Sequence, residues 1–365
     1  MTLRELGREF RDYPATMALC VLWTIVFAAI AHAQLTGGVT LPWWKWLLIG
    51  SGDGHAFGDL TLPDLGRGQV WRLETSTFVH FSALHFVLNV MGMYLIGTMV
   101  ESWYGPSQLV LIYGLTGGVG NLVAALARYL SGSDPRIHSG GGSVVIMGLV
   151  GLCAVVGWRS GTPSGTSMGR VMVVILVLTA LLGIALPQYI DNWGHAGGVL
   201  VGAVLGFAHT ALERAGSRPW VWGAGVLMGI VLLVCGAAQL IDKRTHAVFY
   251  QEEAINRRLF ELGRSHQALT AIVQLVPREG GARIALGMID GLNTYVFERP
   301  VRAELERLRS LIKTATKRAL TADELREFEE RSSRVLKETY RAYRAGQRKL
   351  WELHRDPRYH TSRRM

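Results

Sequence analysis

The stretch DNWGHAGGVLVGAVLGFA, Asp191 to Ala208, decides how the chain is read. Gly194, Gly198, Gly202 and Gly206 recur every four residues, which lines them along one stripe of a helix. Such a stripe is a bare seam on which a second helix can pack at close range. From Trp193 on, the rest of the segment is apolar. His195, beside the top of the seam, is therefore an ionisable group in an apolar run, and such groups are costly enough to mark functional candidates. The questions are which helix fills the seam and what His195 faces.

Working outward, the chain has 365 residues, 49% of them hydrophobic, and a mean hydropathy of +0.23. That is too apolar for an ordinary soluble domain. Seven apolar runs stand out, at about Thr16–Ala33, Phe78–Val100, Leu109–Leu130, Ser143–Trp158, Val171–Leu186, Trp193–Ala211 and Trp220–Ile241. They lack a polar face and read as transmembrane helices, the fourth and fifth short ones. Cys20, Cys153 and Cys235 all lie inside these runs, as small buried hydrophobes do. No spacing of Cys, His or carboxylates resembles a zinc motif, so neither metal nor cofactor is expected. Nothing points to nucleic acid as a partner, and the oligomeric state is open.

Lysine and arginine bias in short loops sets orientation. Arg4, Arg8 and Arg11 place the N-terminus in the cytoplasm, and Arg159, Arg170, Arg214 and Arg218 then fall on the same side. Seven spans put the C-terminal tail outside; its basic character is a weak objection, because long segments cross largely regardless of charge. The first run ends in Ala31-His32-Ala33, which resembles a cleavage site, but its length favours a retained anchor. Trp43 and Trp44, in LPWWKWLLIG (Leu41–Gly50), suit a lateral, partly submerged loop at the headgroup interface. From about Lys243 apolar residues recur at three- and four-residue spacing with charge between them, the pattern of soluble amphipathic helices. Thr321 fits an N-cap with acids in the following turn. The tail's cationic surplus could meet anionic lipid, but a solvated face is the plainer reading.

Four polar places lie within the apolar runs. In HFSALHFVLN, His80 to Asn89, His85 and Asn89 are four apart and share a helical face, where two neutral donors could receive a developing oxyanion. The alternative is an interhelical hydrogen bond. Ser143 follows Gly140-Gly141-Gly142, which leaves bare backbone near a helix start. His195 heads the glycine seam, and the run from Ser143 offers Gly148 and Gly151 in return. If these two helices cross there, Ser143 and His195 lie at similar depth, the pairing an activated nucleophile needs. Glu101 reads as structural. Asp191 should sit at the water boundary, so no third triad member is evident.

Together these residues resemble the rhomboid family of intramembrane serine proteases, over roughly Trp71 to Gly206. The resemblance rests on Trp71-Arg72, on His85-x-x-x-Asn89 and on Gly97…Glu101…Gly105. It continues through Gly141-x-Ser143 with Gly148 and Gly151, to His195-x-x-Gly198-x-x-x-Gly202. It implies an all-α membrane fold, with a cytoplasmic N-terminal segment at 1–15 and a six-helix core at 16–211. An extra seventh span at 212–241 and a soluble helical tail at 242–365 complete the chain. It implies Ser143 as nucleophile, His195 as general base, and an oxyanion hole of His85, Asn89 and the Ser143 N–H. His80, Gly141, Gly198, Gly202 and Met147 would support the site. The implied substrates are membrane-spanning proteins in the bilayer, and the implied location is a bacterial inner membrane. Two positions depart from family habit: Val144 stands where glycine usually follows the nucleophile, and Met147 where an aromatic ring often packs on the histidine. These departures keep open a second reading, an inactive relative that binds membrane clients. A transporter would need inverted repeats and charged pathway residues, and neither is seen.

Overall fold

The computed structural model describes residues 3–36, 54–135, 137–187, 189–209, 219–292 and 296–356. The Trp43/Trp44 loop, Arg214 and Arg218 lie outside them. Among the described residues the chain is helical, with no strand and one isolated antiparallel bridge between Leu60 and Ser139. It divides into two compact units that part between Arg244 and Thr245, where the sequence changes texture.

Five helices of the first unit are long and apolar enough to cross a membrane: α1 (Pro14–Gln34), α2 (Ala83–Tyr104), α3 (Pro106–Leu130), α5 (Pro163–Ala185) and α7 (Pro219–Thr245). Between them lie two shorter helices, α4 (Ser143–Arg159) and α6 (Asn192–Phe207). The protein is an integral, multi-pass membrane protein. The seven apolar runs therefore resolve into five long helices and two short ones. The 17 residues of α4 rise about 25 Å, less than the roughly 30 Å of a bilayer's hydrocarbon core. Residues 31–33 lie inside α1, with no break in the helix there. The second run begins later than its hydropathy suggests, because Ser82 caps α2 by accepting from the His85 N–H at 3.2 Å. His80 consequently lies in the loop ahead of the helix.

Close backbone packing holds α4, α6 and α3 together. A Cβ on Gly202 would stand 2.8 Å from the Gly148 Cα, and one on Gly198 would stand 3.0 Å from the Val144 carbonyl carbon. Gly206 meets Leu152 and Val155, and Gly151 meets Val199. Numbers rise together along both helices, so α4 and α6 run parallel. Gly197, on a neighbouring face of α6, packs on Gly120 of α3. Glu101 of α2 accepts from the Ala15 N–H (2.9 Å), the Thr16 N–H (2.8 Å) and the Thr16 hydroxyl (2.6 Å), satisfying the first turn of α1. Gly105, at φ +85°, turns the chain from α2 into α3. Helix α7 lies along α3: Gly225 packs on Ser107 and Met228 on Gly114. Further on, Gln239 of α7 accepts from the Trp71 indole at 3.0 Å.

The second unit is a helical bundle of α8 (Ala247–Leu275), α9 (Gly281–Asp290), α10 (Arg299–Ala315) and α11 (Ala322–His354). Its core includes Leu262, Leu269, Ile272, Leu308, Ile312, Phe328 and Val335. α8 and α11 run antiparallel, with His354 3.0 Å from Glu252 and Gly346 against Leu259. Thr321 caps α11 in a reciprocal box: its hydroxyl accepts from the Glu324 N–H at 3.3 Å, and Glu324 accepts from the Thr321 N–H at 2.8 Å.

Candidate active site

The site is assembled from the loop before α4, the N-termini of α4 and α6, and the first turns of α2. Gly141 has φ +128° and donates its N–H to the Ser76 carbonyl at 2.9 Å. Gly142 lies directly under the Trp23 ring, where a Cβ would collide with the indole. Trp23 is fully buried and its indole N–H donates to the Tyr113 hydroxyl at 2.9 Å. The two glycines are thus required by geometry, one by its backbone angle and one by the close approach of the ring. Gly142 is the N-cap, so the N–H groups of Ser143, Val144 and Val145 have no acceptor within the helix.

The parallel register of α4 and α6 sets the depth of the two central side chains. Val144 lies against Gly198, Gly148 against Gly202, and Leu152 against Gly206, a constant offset. Extending it by one turn brings His195 level with residue 141, about 3 Å along the axis from Ser143. His195 precedes Gly198 by three residues and Gly202 by seven, so it shares the face turned to α4. The point a Cβ would occupy on Gly141 lies 2.6 Å from His85 Nε2 and 3.6 Å from Ser143 Oγ. The hydroxyl and the His85 imidazole therefore border the same small space. Ser143, His85 and His195 are all half-buried.

Asn89 is buried, and its side-chain N–H₂ donates to the His85 carbonyl at 2.7 Å. One of its two amide hydrogens is thus turned back on its own helix. His80 is also buried: its Nε2 accepts from the Gly142 N–H at 3.4 Å and its Nδ1 lies 3.2 Å from the Phe78 carbonyl. That pattern fits a neutral ring protonated on Nδ1, which holds the loop ahead of Ser143. Met147 lies in the apolar core one turn below Ser143. Val144 is buried with its γ-methyl close to Gly120, so the branched side chain fills space between α3 and α6.

Sequence reasoning missed what ties the two helix starts together. Asp191 caps α6 by accepting from the Gly194 N–H at 2.9 Å, accepts from the Ser139 hydroxyl at 2.5 Å, and pairs with Arg128 of α3. Arg128 also donates to Ser139 at 3.2 Å. Burial works against ionisation of Asp191, but the Arg128 charge and the three hydrogen bonds outweigh it and hold its carboxyl below the ordinary carboxylate range. Asp191 is thereby committed away from His195, whose Nδ1 is buried without a hydrogen-bond partner among the described residues. The available signals were an N-cap residue ahead of the glycine seam and a lone arginine at the end of an apolar run.

Residues 67–211 match the Rhomboid domain model. That segment carries the rhomboid match, and over it the chain is similar to rhomboid proteins. It is similar to the rhomboid protease GluP of Bacillus subtilis (strain 168), 29% identical over 210 residues, covering 57% of this chain and 38% of that protein. It is also similar to the mitochondrial RHOMBOID-like protein 6 of Arabidopsis thaliana, 29% identical over 137 residues, covering 38% of this chain and 43% of the relative. A third relative is the inactive RHOMBOID-like protein 8 of Arabidopsis thaliana, 27% identical over 132 residues, covering 36% of each chain. The chain thus spans less than half the length of each of these relatives, and the rhomboid match contains Ser143, His195, His85 and Asn89 together.

Proposed function

We propose that this protein is a rhomboid-type intramembrane serine protease that cuts a peptide bond in or beside a substrate transmembrane helix with a Ser143–His195 dyad. The observation that carries the reading is the parallel register of α4 and α6, which supports a shared depth for hydroxyl and imidazole. In this mechanism His195 takes the Ser143 proton as the oxygen attacks the carbonyl carbon, then returns it to the leaving amine. The Ser143 N–H, the His85 imidazole and the remaining amide hydrogen of Asn89 receive the oxyanion. Loss of one such donor costs on the order of a hundredfold or more in rate. Water then cleaves the acyl-enzyme, again with His195 as base. Since α4 is short for a bilayer, Ser143 at its start is recessed, and the polar mouth of His80, His85, Asn89 and the glycine loop is the route for that water.

The proposed arrangement comprises an N-terminal segment at 1–15, a six-helix core at 16–211, the seventh span at 212–241 and the helical tail at 242–365. It sits in a bacterial inner membrane with the N-terminus cytoplasmic and the tail outside. A fluorophosphonate probe tests the activity. The wild-type protein should form an adduct and Ser143→Ala should not; absence of labelling in well-folded wild type refutes the proposal. Val144, the back-bonded Asn89 amide and the inactive relative favour one competing reading, a non-catalytic binder of membrane clients. That reading predicts no adduct.

A further inference from the structure

A second polar cluster lies apart from the dyad, in the loops before α2 and α4. His55 Nδ1 is 2.7 Å from Asp59 Oδ1, and His138 Nδ1 is 3.0 Å from Asp59 Oδ2. The three ligand atoms lie within 4.8 Å of one another. Asp59 is fully buried and His55 nearly so, whereas the His138 side chain is 35% exposed, which leaves a path from solvent. The cradle is rigid. The buried Arg72 guanidinium donates to the His55 carbonyl at 3.0 Å and to the Asp59 carbonyl at 2.7 Å. The Leu60–Ser139 bridge pins the two loops together beside it.

The decisive feature is the other face of His55. Its Nε2 lies 3.5 Å from Asp64 Oδ1, so the ring stands between two carboxylates. Asp64 is itself buried and held by the Thr61 hydroxyl at 2.7 Å and Arg67 at 2.6 Å. A neutral imidazole carries one N–H and can serve only one carboxylate; a lone pair then faces the other. A cation at Nδ1 removes the conflict and leaves Nε2–H to donate to Asp64. Carboxylate–histidine–metal relays have this form, with the outer carboxylate fixing the tautomer of the ligand.

We propose that His55, Asp59 and His138 bind one divalent zinc-type cation, with Asp64 as its outer-sphere orienting group. Two imidazoles and a carboxylate suit a borderline ion such as Zn²⁺, rather than the all-oxygen preference of Ca²⁺ or Mg²⁺ or the thiolate preference of Cu⁺. Three protein ligands leave a fourth position for water on the side of His138. The ion joins loop 54–61 to loop 137–142 through His138, five residues ahead of α4, and so acts as a clasp on the segment that presents Ser143. The proposal rests on the loop geometry and is independent of the proteolytic reading.

The test uses the full-length protein in detergent micelles, stripped with a chelator and titrated with ZnCl₂ by calorimetry, with Co²⁺ absorption as the spectroscopic probe. Wild type should take up one equivalent, show a Co²⁺ band of low-symmetry, N/O-ligated type, and gain thermal stability. His138→Gln, at the most exposed of the three ligands, should lose the band and weaken binding while the protein still melts cooperatively. Asp64→Asn, which touches no ion, should weaken it about ten- to a hundredfold. Equal zinc binding by wild type and His138→Gln would overturn the proposal, since the ion then sits elsewhere. No stoichiometric uptake by folded wild type would overturn it too.

Discussion

Gly202→Ala tests the register on which the catalytic reading stands. Gly202 is seven residues from His195 and touches no proposed catalytic group. A Cβ there would stand 2.8 Å from the Gly148 Cα and closer still to the Gly148 carbonyl oxygen. Carbon atoms rest at about 3.5–4.0 Å, so α6 must move off α4 by roughly 0.7 Å or more. Both atoms belong to backbone, so no side-chain rotation relieves the clash. Overpacking of this kind costs about 1–3 kcal/mol of stability. Misplacing reacting groups by ~1 Å can cost on the order of a hundredfold in rate. The assay is the rate of fluorophosphonate labelling of Ser143, read beside thermal unfolding of the same preparation. Gly223→Ala is the control, because a Cβ there meets nothing within 4 Å. The expected result is a slowing on the order of a hundredfold for Gly202→Ala and wild-type behaviour for Gly223→Ala. A folded Gly202→Ala protein that labels at the wild-type rate refutes the reasoning.

Asp191→Ala removes the cap of α6 and leaves Arg128, 5% exposed, without a carboxylate to pair with; thermal unfolding should show a loss of about 3 kcal/mol or more. The same carboxylate sets an acid limit. Its folded pKa is below the ordinary value, so its contribution is complete above about pH 4 and is lost as pH falls through the folded value. Melting curves of wild type and Asp191→Asn should therefore converge on acidification, and a constant gap would contradict the assignment. Glu101→Ala strips three hydrogen bonds from the first turn of α1 and should lower stability by about 2 kcal/mol or more, measured by chemical denaturation. In the tail, Phe328→Ala should cost about 3–5 kcal/mol, seen as faster hydrogen exchange across α8 and α11 rather than in α4 or α6.

Much of the architecture was legible because glycine in an apolar helix has few other reasons to recur. Gly198, Gly202 and Gly206 do line the seam against α4, and Gly148 and Gly151 do answer them. Gly194 belongs to the same sequence period but not to the seam: its nearest neighbour is the Asp191 carboxylate, which needs an uncluttered first turn to cap. Gly197 lies outside the period and packs on α3. Hydropathy marked the fourth and fifth runs as short; the fourth is, but the fifth is the 23-residue α5 and the other short helix is α6, since apolar composition is blind to where a cap ends a helix. What a single sequence cannot display is convergence between loops. Asp191 and Arg128 are 63 residues apart, and Asp59 and His138 are 79 apart. Zinc motifs are recognised by close spacing, so a ligand set split between two loops passes unnoticed. Asn89 illustrates the reverse limit. Its place one turn after His85 follows from the spacing, but the hydrogen bond to the His85 carbonyl depends on a side-chain rotamer that sequence does not encode.

The most direct measurement of the catalytic claim is a double-mutant comparison of cleavage of a transmembrane-helix substrate in proteoliposomes. If an imidazole deprotonates this alcohol, Ser143→Ala, His195→Ala and the double variant fall to the same residual rate, because each alone disables the shared step. Losses that multiply, or a His195→Ala protein that cleaves like wild type, would contradict the account.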